Sequence, residues 1–161
     1  MVARAPHWAH AHLWAYGGGM SALGDDALDF WLGEWTVAWP GGTGTNSIRR
    51  ILDGRVVEEV FESHSAEDGD LYGRSLSVRD SADGVWRQTW VDSTGAYLDL
   101  EGVEVDGRIS FQRRGPAGGL QRMVWLGVTE AGFRWEWQRS TDDGATWTVM
   151  WPLDYTRAPG S

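Results

Sequence analysis

Four side chains in RVVEEVFESH, residues 55–64, belong to the types that carry proton transfer or ligate metals: Glu58, Glu59, Glu62 and His64. On an extended strand adjacent residues point to opposite faces, so Glu58 and Glu59 cannot form one paired acid–base site. Val57, Glu59 and Phe61 share one face; Val56, Glu58 and Val60 share the other. The company of Phe61 favours Glu59 as the inward residue. A carboxylate inside a core calls for a cationic partner, and Arg50 and Arg74 on the neighbouring strands are the candidates. Such a pair serves either as a conformational lock or as the polar anchor of a ligand cavity.

His64 is the only histidine beyond residue 12 and is read as a solvated loop residue. His7, His10 and His12 lie in a tail without preorganised geometry, so no metal site is expected. Ser-His-Asp catalysis lacks a histidine held on a rigid scaffold, and no catalytic residue is assigned. The absence of cysteine removes disulfides, thiolate zinc sites and thiol nucleophiles.

Aromatic residues offer a different chemistry, that of a binding cavity. The 161 residues include 12 tryptophans. With period two, Trp35, Val37 and Trp39 share a face, as do Trp86, Gln88 and Trp90, and Phe133, Trp135 and Trp137. An unbroken alternation in the last segment would align Trp147, Val149, Trp151, Leu153, Tyr155 and Arg157. A cavity lined by Trp39, Trp90, Trp137 and Tyr155, with Gln88 and a Glu59–Arg50 or Glu59–Arg74 anchor, suits a flat or elongated apolar molecule carrying one polar group. A solid tryptophan-packed core is the competing expectation. Trp125 falls opposite Val124 and Leu126 in parity and is read as an exposed patch or a contact between two copies of the chain.

These side chains must be positioned by strands. Turn signals such as PGGTG (40–44), SADG (81–84), DSTG (92–95), GPAGG (115–119) and TDDGA (141–145) punctuate the chain about every ten to twelve residues. Between the turns lie ten strand-like segments, from EWTVAW to TWTVMWPLDYTR. Only DDALDFWLG, 25–33, suggests a helical turn, with Asp25 as its cap. Ten up-and-down strands leave edges that closure removes, so the expected fold is a single all-β antiparallel barrel over residues 25–158. Residues 1–24 read as a flexible extension, within which Met20 is an alternative start, and 159–161 as a short tail. No apolar run reaches membrane-span length, and a net charge of −9 works against long-range attraction to nucleic acid or anionic membrane, so the cytoplasm is the expected compartment.

A short helical turn followed by Gly33-Glu34-Trp35 at the first strand resembles the G-x-W motif of the calycin superfamily, which includes lipocalins, fatty-acid-binding proteins and nitrobindin-like barrels. DFWLGEWTV, WRQTWVDSTG and WQRSTDDGATW together are most similar to a family of small bacterial lipocalin-like domains of uncharacterised function. The resemblance implies that Gly33, Trp35 and Arg157 close one end of the barrel, with the guanidinium over the indole. Ser140, Asp142, Gly144 and Trp147 match the Asp-box hairpin known from sialidase propellers, and its single occurrence is read as a stable turn. Nitrobindin-like barrels hold haem through a histidine near the C-terminal end, where this chain has none; only His64 could serve, and no cofactor is expected. The functional expectation is a protein that binds a small, mainly apolar molecule. The alternatives are a cyclase- or isomerase-type enzyme working through an interior carboxylate, and a haem protein.

Overall fold

The computed structural model describes residues 23–160; the expectations for residues 1–22 and for Ser161 lie outside the described residues. Ten antiparallel strands form one closed barrel: β1 (Gly33–Trp39), β2 (Gly42–Ile51), β3 (Val56–Ser65), β4 (Gly69–Arg79), β5 (Trp86–Asp92), β6 (Tyr97–Val105), β7 (Arg108–Arg114), β8 (Leu120–Leu126), β9 (Gly132–Ser140) and β10 (Thr148–Arg157). Each strand pairs with its neighbours in sequence, and β1 closes on β10 through Trp35 opposite Arg157 and Val37 opposite Tyr155. The fold is all-β and up-and-down, and among the described residues it has one 3-10 helix, at Asp29–Trp31. No described helix is long and apolar enough to cross a membrane.

The helical segment plugs one end of the barrel. Leu28 and Trp31 are buried, and Phe30 meets Trp125 and Phe133 edge to face. Asp25 does not cap the helix, whose N-cap position is Leu28 with no side-chain hydrogen bond. The segment is held instead from the barrel side. Arg50 donates to the carboxylate of Asp29 and to the carbonyls of Asp25 and Gly54. Arg79 donates to the carbonyl of Leu23 at 3.0 Å, and the Trp86 indole to that of Gly24 at 3.1 Å. Leu23 and Gly24 are thereby tied to the barrel.

At the same end the Arg157 guanidinium lies 4.0 Å from the centre of the Trp35 ring. It donates to the carbonyls of Leu32 and Glu130, while the Trp35 indole donates to the Trp31 carbonyl at 2.8 Å. Gly33 takes a φ of +126°, and a Cβ there would stand 2.3 Å from an Arg157 nitrogen. Glycine is required by backbone conformation and by space together.

Two expectations about side-chain direction fail. β10 carries an irregularity between Val149 and Trp151, so Val149 opposes Gln138 while Trp151 opposes Trp137. The extra residue, Met150, reverses the alternation, as a β-bulge does. Trp151, Leu153 and Tyr155 therefore face the interior, whereas Val149 and Trp147 belong outside, where Trp147 receives the Arg122 guanidinium 3.9 Å from its ring centre. Trp125 is not on an exposed patch. It is 4% exposed and meets Phe30, Trp31 and Phe111. Apolar residues stand on both faces of MVWL, 123–126, so its pattern alone cannot assign an inside.

Trp35→Ala is expected to destabilise the barrel by about 3 to 5 kcal/mol, the usual range for deleting a buried indole. Arg157→Ala should cost less, and the double variant should lose less than the sum because the two groups touch. Denaturant titration of the four proteins measures this, and strictly additive losses would contradict the contact.

Candidate functional site

Small residues are concentrated on one side of the barrel interior, beside Phe61 and Leu71, and indoles on the other. On β2, β3 and β4 the inward positions include Gly44, Ser63, Gly73, Ser75 and Ser77; on β9 and β10 they include Trp135, Trp137 and Trp151. The Trp90 ring fits only because residue 73 is glycine, where a Cβ would approach it to 2.1 Å. Between the two sides lies a cavity of about 190 Å³.

Trp31 forms its floor, and Phe61, Trp90, Trp135, Trp137 and Trp151 form most of its wall. Leu71, Leu98 and Asp92 lie toward the end remote from the helical plug. Leu71, Leu98, Trp90, Trp137 and Trp151 are each half-buried, which sets the mouth at that end. The rings brace one another edge to face: Trp151 stands 6.0 Å from both Phe61 and Trp135 and 5.7 Å from Trp39, centre to centre. Such mutual packing holds the wall in place without a ligand.

The polar element of the cavity is Glu59. It faces inward beside Phe61, as the sequence favours, and is 7% exposed. Its partners are not arginines. Asn46 donates to one carboxylate oxygen at 2.7 Å and Ser75 to the other at 2.6 Å. Asn46 also donates to the Tyr155 hydroxyl at 3.0 Å, so the polar string Ser75–Glu59–Asn46–Tyr155 spans β4, β3, β2 and β10. Arg50 is spent on the helical segment at the barrel base, and Arg74 stands exposed on the outer face opposite Val60. Both are removed from Glu59 by geometry: Arg50 lies near the end of β2, and Arg74 has the wrong parity.

With no cation beside it, Glu59 is governed by desolvation. Burial pushes its carboxyl from the ordinary 4.5 up to about 7, against the hydrogen bonds from Ser75 and Asn46, which favour the ionised form. Tyr155 is raised well above the ordinary phenol value, first by burial and then by the charge of Glu59, so it remains a neutral hydroxyl. Asp92 behaves oppositely. Its partial burial works against ionisation, but hydrogen bonds from Thr94, Trp90 and the backbone outweigh it and hold the carboxyl below the usual range. The cavity thus has a fixed anion toward its mouth and a carboxyl that titrates near neutrality deeper in.

Of the residues the sequence singles out for a ligand, Glu59, Trp90, Trp137 and Tyr155 come together around the cavity. Trp39 and Gln88 do not line it. The Trp39 ring folds over the β1–β2 turn, where a Cβ on Gly42 would meet it at 2.5 Å. Gln88 is buried in the wall and donates to Ser77 at 2.9 Å. Asn46, Ser75 and Asp92 escape sequence reasoning. One signal was present: Asn46 is the chain's single asparagine, and it lies in a strand-like segment. Ser75 and Ser77 also alternate with Leu76 and Val78, but the small polar residues are the buried ones and Leu76 is 46% exposed.

Two further motifs lie apart from the cavity. Asp142 accepts hydrogen bonds from the Thr146 backbone, the Thr146 hydroxyl and the Ser140 hydroxyl, and Gly144 takes a φ of +92°. The Trp147 indole closes this hairpin by donating to the Gly144 carbonyl at 3.0 Å. His64, the one histidine among the described residues, stands exposed beside Asp70, with which its ring shares a hydrogen bond. No cluster of three or more potential metal-ligating side chains occurs among the described residues. Compared with models of known protein families and with curated protein sequences, the chain matches none.

The raised Glu59 carboxyl predicts an unusual pH dependence. Between about 4.5 and about 7 the native state keeps a proton that the unfolded chain releases, so this group makes stability fall as pH rises through that window and level off above it. The loss amounts to roughly 3 kcal/mol at about 1.4 kcal/mol per unit. Glu59→Gln removes the titration, so its stability relative to the wild type should climb from pH 5 to pH 8. Parallel profiles in denaturant titrations would show that Glu59 ionises normally.

Proposed function

We propose that the protein binds a small, mainly apolar molecule in the barrel, in the manner of a lipocalin-like member of the calycin superfamily. The observation that carries this reading is the cavity of about 190 Å³, walled by rings and furnished at depth with Glu59 and Tyr155. A core optimised for stability alone would fill that space, since an apolar void costs about 24 cal/mol per Å³ when created by truncation. It would also replace a buried carboxyl lacking a cation. The volume lies below the ~300–1,000 Å³ of sites for drug-sized ligands, which favours a compact guest such as one ring system with a short side chain. The closed ten-stranded barrel and the Trp35–Arg157 stack support the calycin assignment.

One observation favours a second reading. A carboxyl that titrates near pH 7 inside an apolar cavity suits general acid–base chemistry, as a cyclase- or isomerase-type enzyme requires. Haem has less support, because His64 stands exposed on β3 and is not among the residues lining the cavity.

A compact planar apolar probe should quench tryptophan fluorescence saturably, and Trp90→Ala or Trp137→Ala should weaken its binding through lost stacking area, by roughly 1 kcal/mol or more. Quenching that never saturates would support a solid core instead. Added haem should yield no saturating Soret band; a band abolished in His64→Ala would install the haem reading.

A further inference from the structure

The charges around the cavity have one sign. Its lining includes two carboxyl groups, Glu59 and Asp92, and no arginine or histidine. The faces of the surrounding indoles add negative potential of their own, the arrangement that attracts cations. Glu59 receives two neutral hydrogen bonds but no positive charge, and Asn46, which supplies one of them, has its own buried side-chain oxygen without a partner. Two buried polar atoms near the cavity are left without a partner, the Asn46 side-chain oxygen and the indole N–H of Trp31 at the floor, so unused donors and acceptors balance and the missing element is positive charge.

We propose that the cavity takes a compact apolar amine, bound as its ammonium ion with the charge at Glu59 and the apolar body between Trp90, Trp137 and Trp151. This rests on the container reading above and specifies its ligand. A carboxylate ligand would meet two carboxyl groups and no cation. A neutral ligand can hydrogen-bond to Glu59 but brings no charge to offset its ionised form. Asp92 contributes as a fixed charge: its oxygens are already engaged by Trp90, Thr94 and the Ala96 backbone N–H, so it attracts the cation without having to bind it directly.

Amine binding is then coupled to deprotonation of Glu59. The groups facing Glu59 are Asn46 on β2, Ser75 on β4 and the neutral Tyr155 on β10, and Asp92 on β5 is the other charged residue of the lining. Below about pH 7 the ammonium must displace the Glu59 proton, so affinity should rise with pH through that point and level off above it.

Calorimetric titration of the protein with 2-phenylethylamine, 2-phenylethanol and phenylacetate at pH 6, 7 and 8 tests this. The amine should bind tightest at pH 8 and phenylacetate weakest. Amine affinity should increase by about five- to sixfold from pH 6 to 7 and by about twofold more from pH 7 to 8, with release of close to one proton per amine at pH 6, read from titrations in buffers of different ionisation heat. Glu59→Gln should lower amine affinity at pH 8 by about 10- to 100-fold while leaving the alcohol unchanged. The pH and proton-release measurements need only the wild type, so they decide the matter if the variant does not fold. Equal binding of all three compounds, or tightest binding of phenylacetate, would overturn the amine assignment and leave the container reading standing. Failure of all three to bind would overturn both.

Discussion

Closing ten strands into one sheet encloses more volume than branched aliphatic side chains fill, and most of this structure answers that geometric constraint. One end is stopped by the chain itself, with residues 23–32 folded across the barrel and held by Arg50, Arg79, Trp86 and Arg157. The middle is filled by the largest side chains available. Where a ring lies over glycine on the neighbouring strand, as Trp90 lies over Gly73, the two pack to contact. Where they do not, a cavity remains.

Tryptophan therefore has several physical roles in one molecule. Trp35 is a closure element, stacked under a guanidinium and hydrogen-bonded to the turn it seals. Trp31 and Trp125 extend that plug inward and touch each other at 5.3 Å between ring centres. Trp90, Trp135, Trp137 and Trp151 are wall and partly buried, with Trp135 and Trp151 braced edge to face. Trp147 works on the outer surface, where it locks the 140–147 hairpin and carries Arg122. The same residue type serves closure, packing, cavity and turn because a large ring buries much area, and in Trp35, Trp86, Trp90 and Trp147 its one N–H finds an acceptor, while those of Trp31 and Trp125 stay unpartnered.

Glu59 stands against the trend of the core. A buried carboxyl without a cation works against the folded state, and the surrounding hydrogen bonds from Ser75 and Asn46 reduce that cost without removing it. In the binding reading, the unpaired group is what gives the cavity a direction, with a polar end set against an apolar wall. The same feature makes folding sensitive to proton concentration near neutrality, through one group placed in one layer of the barrel.

Much of the fold was legible in the chain because its signals are local. Turn residues every ten to twelve positions, period-two alternation and the need to dispose of sheet edges lead to a ten-stranded closed barrel, and the resemblance to calycins implies that it seals at Gly33, Trp35 and Arg157. The inward direction of Glu59 was also readable from Phe61 beside it. What the tertiary structure alone decided are the relations that cross strands. Whether Arg50 and Arg74 reach Glu59 depends on register and on competing partners, and the register brings Asn46 and Ser75 instead. One residue of bulge in β10 turned Trp147 out while leaving Trp151 in, a displacement that no local pattern announces because both parities are rich in apolar residues. The cavity itself is a difference between the volume of the barrel and the volume of the side chains inside it. That difference is a property of the closed sheet, and no segment of the sequence contains it.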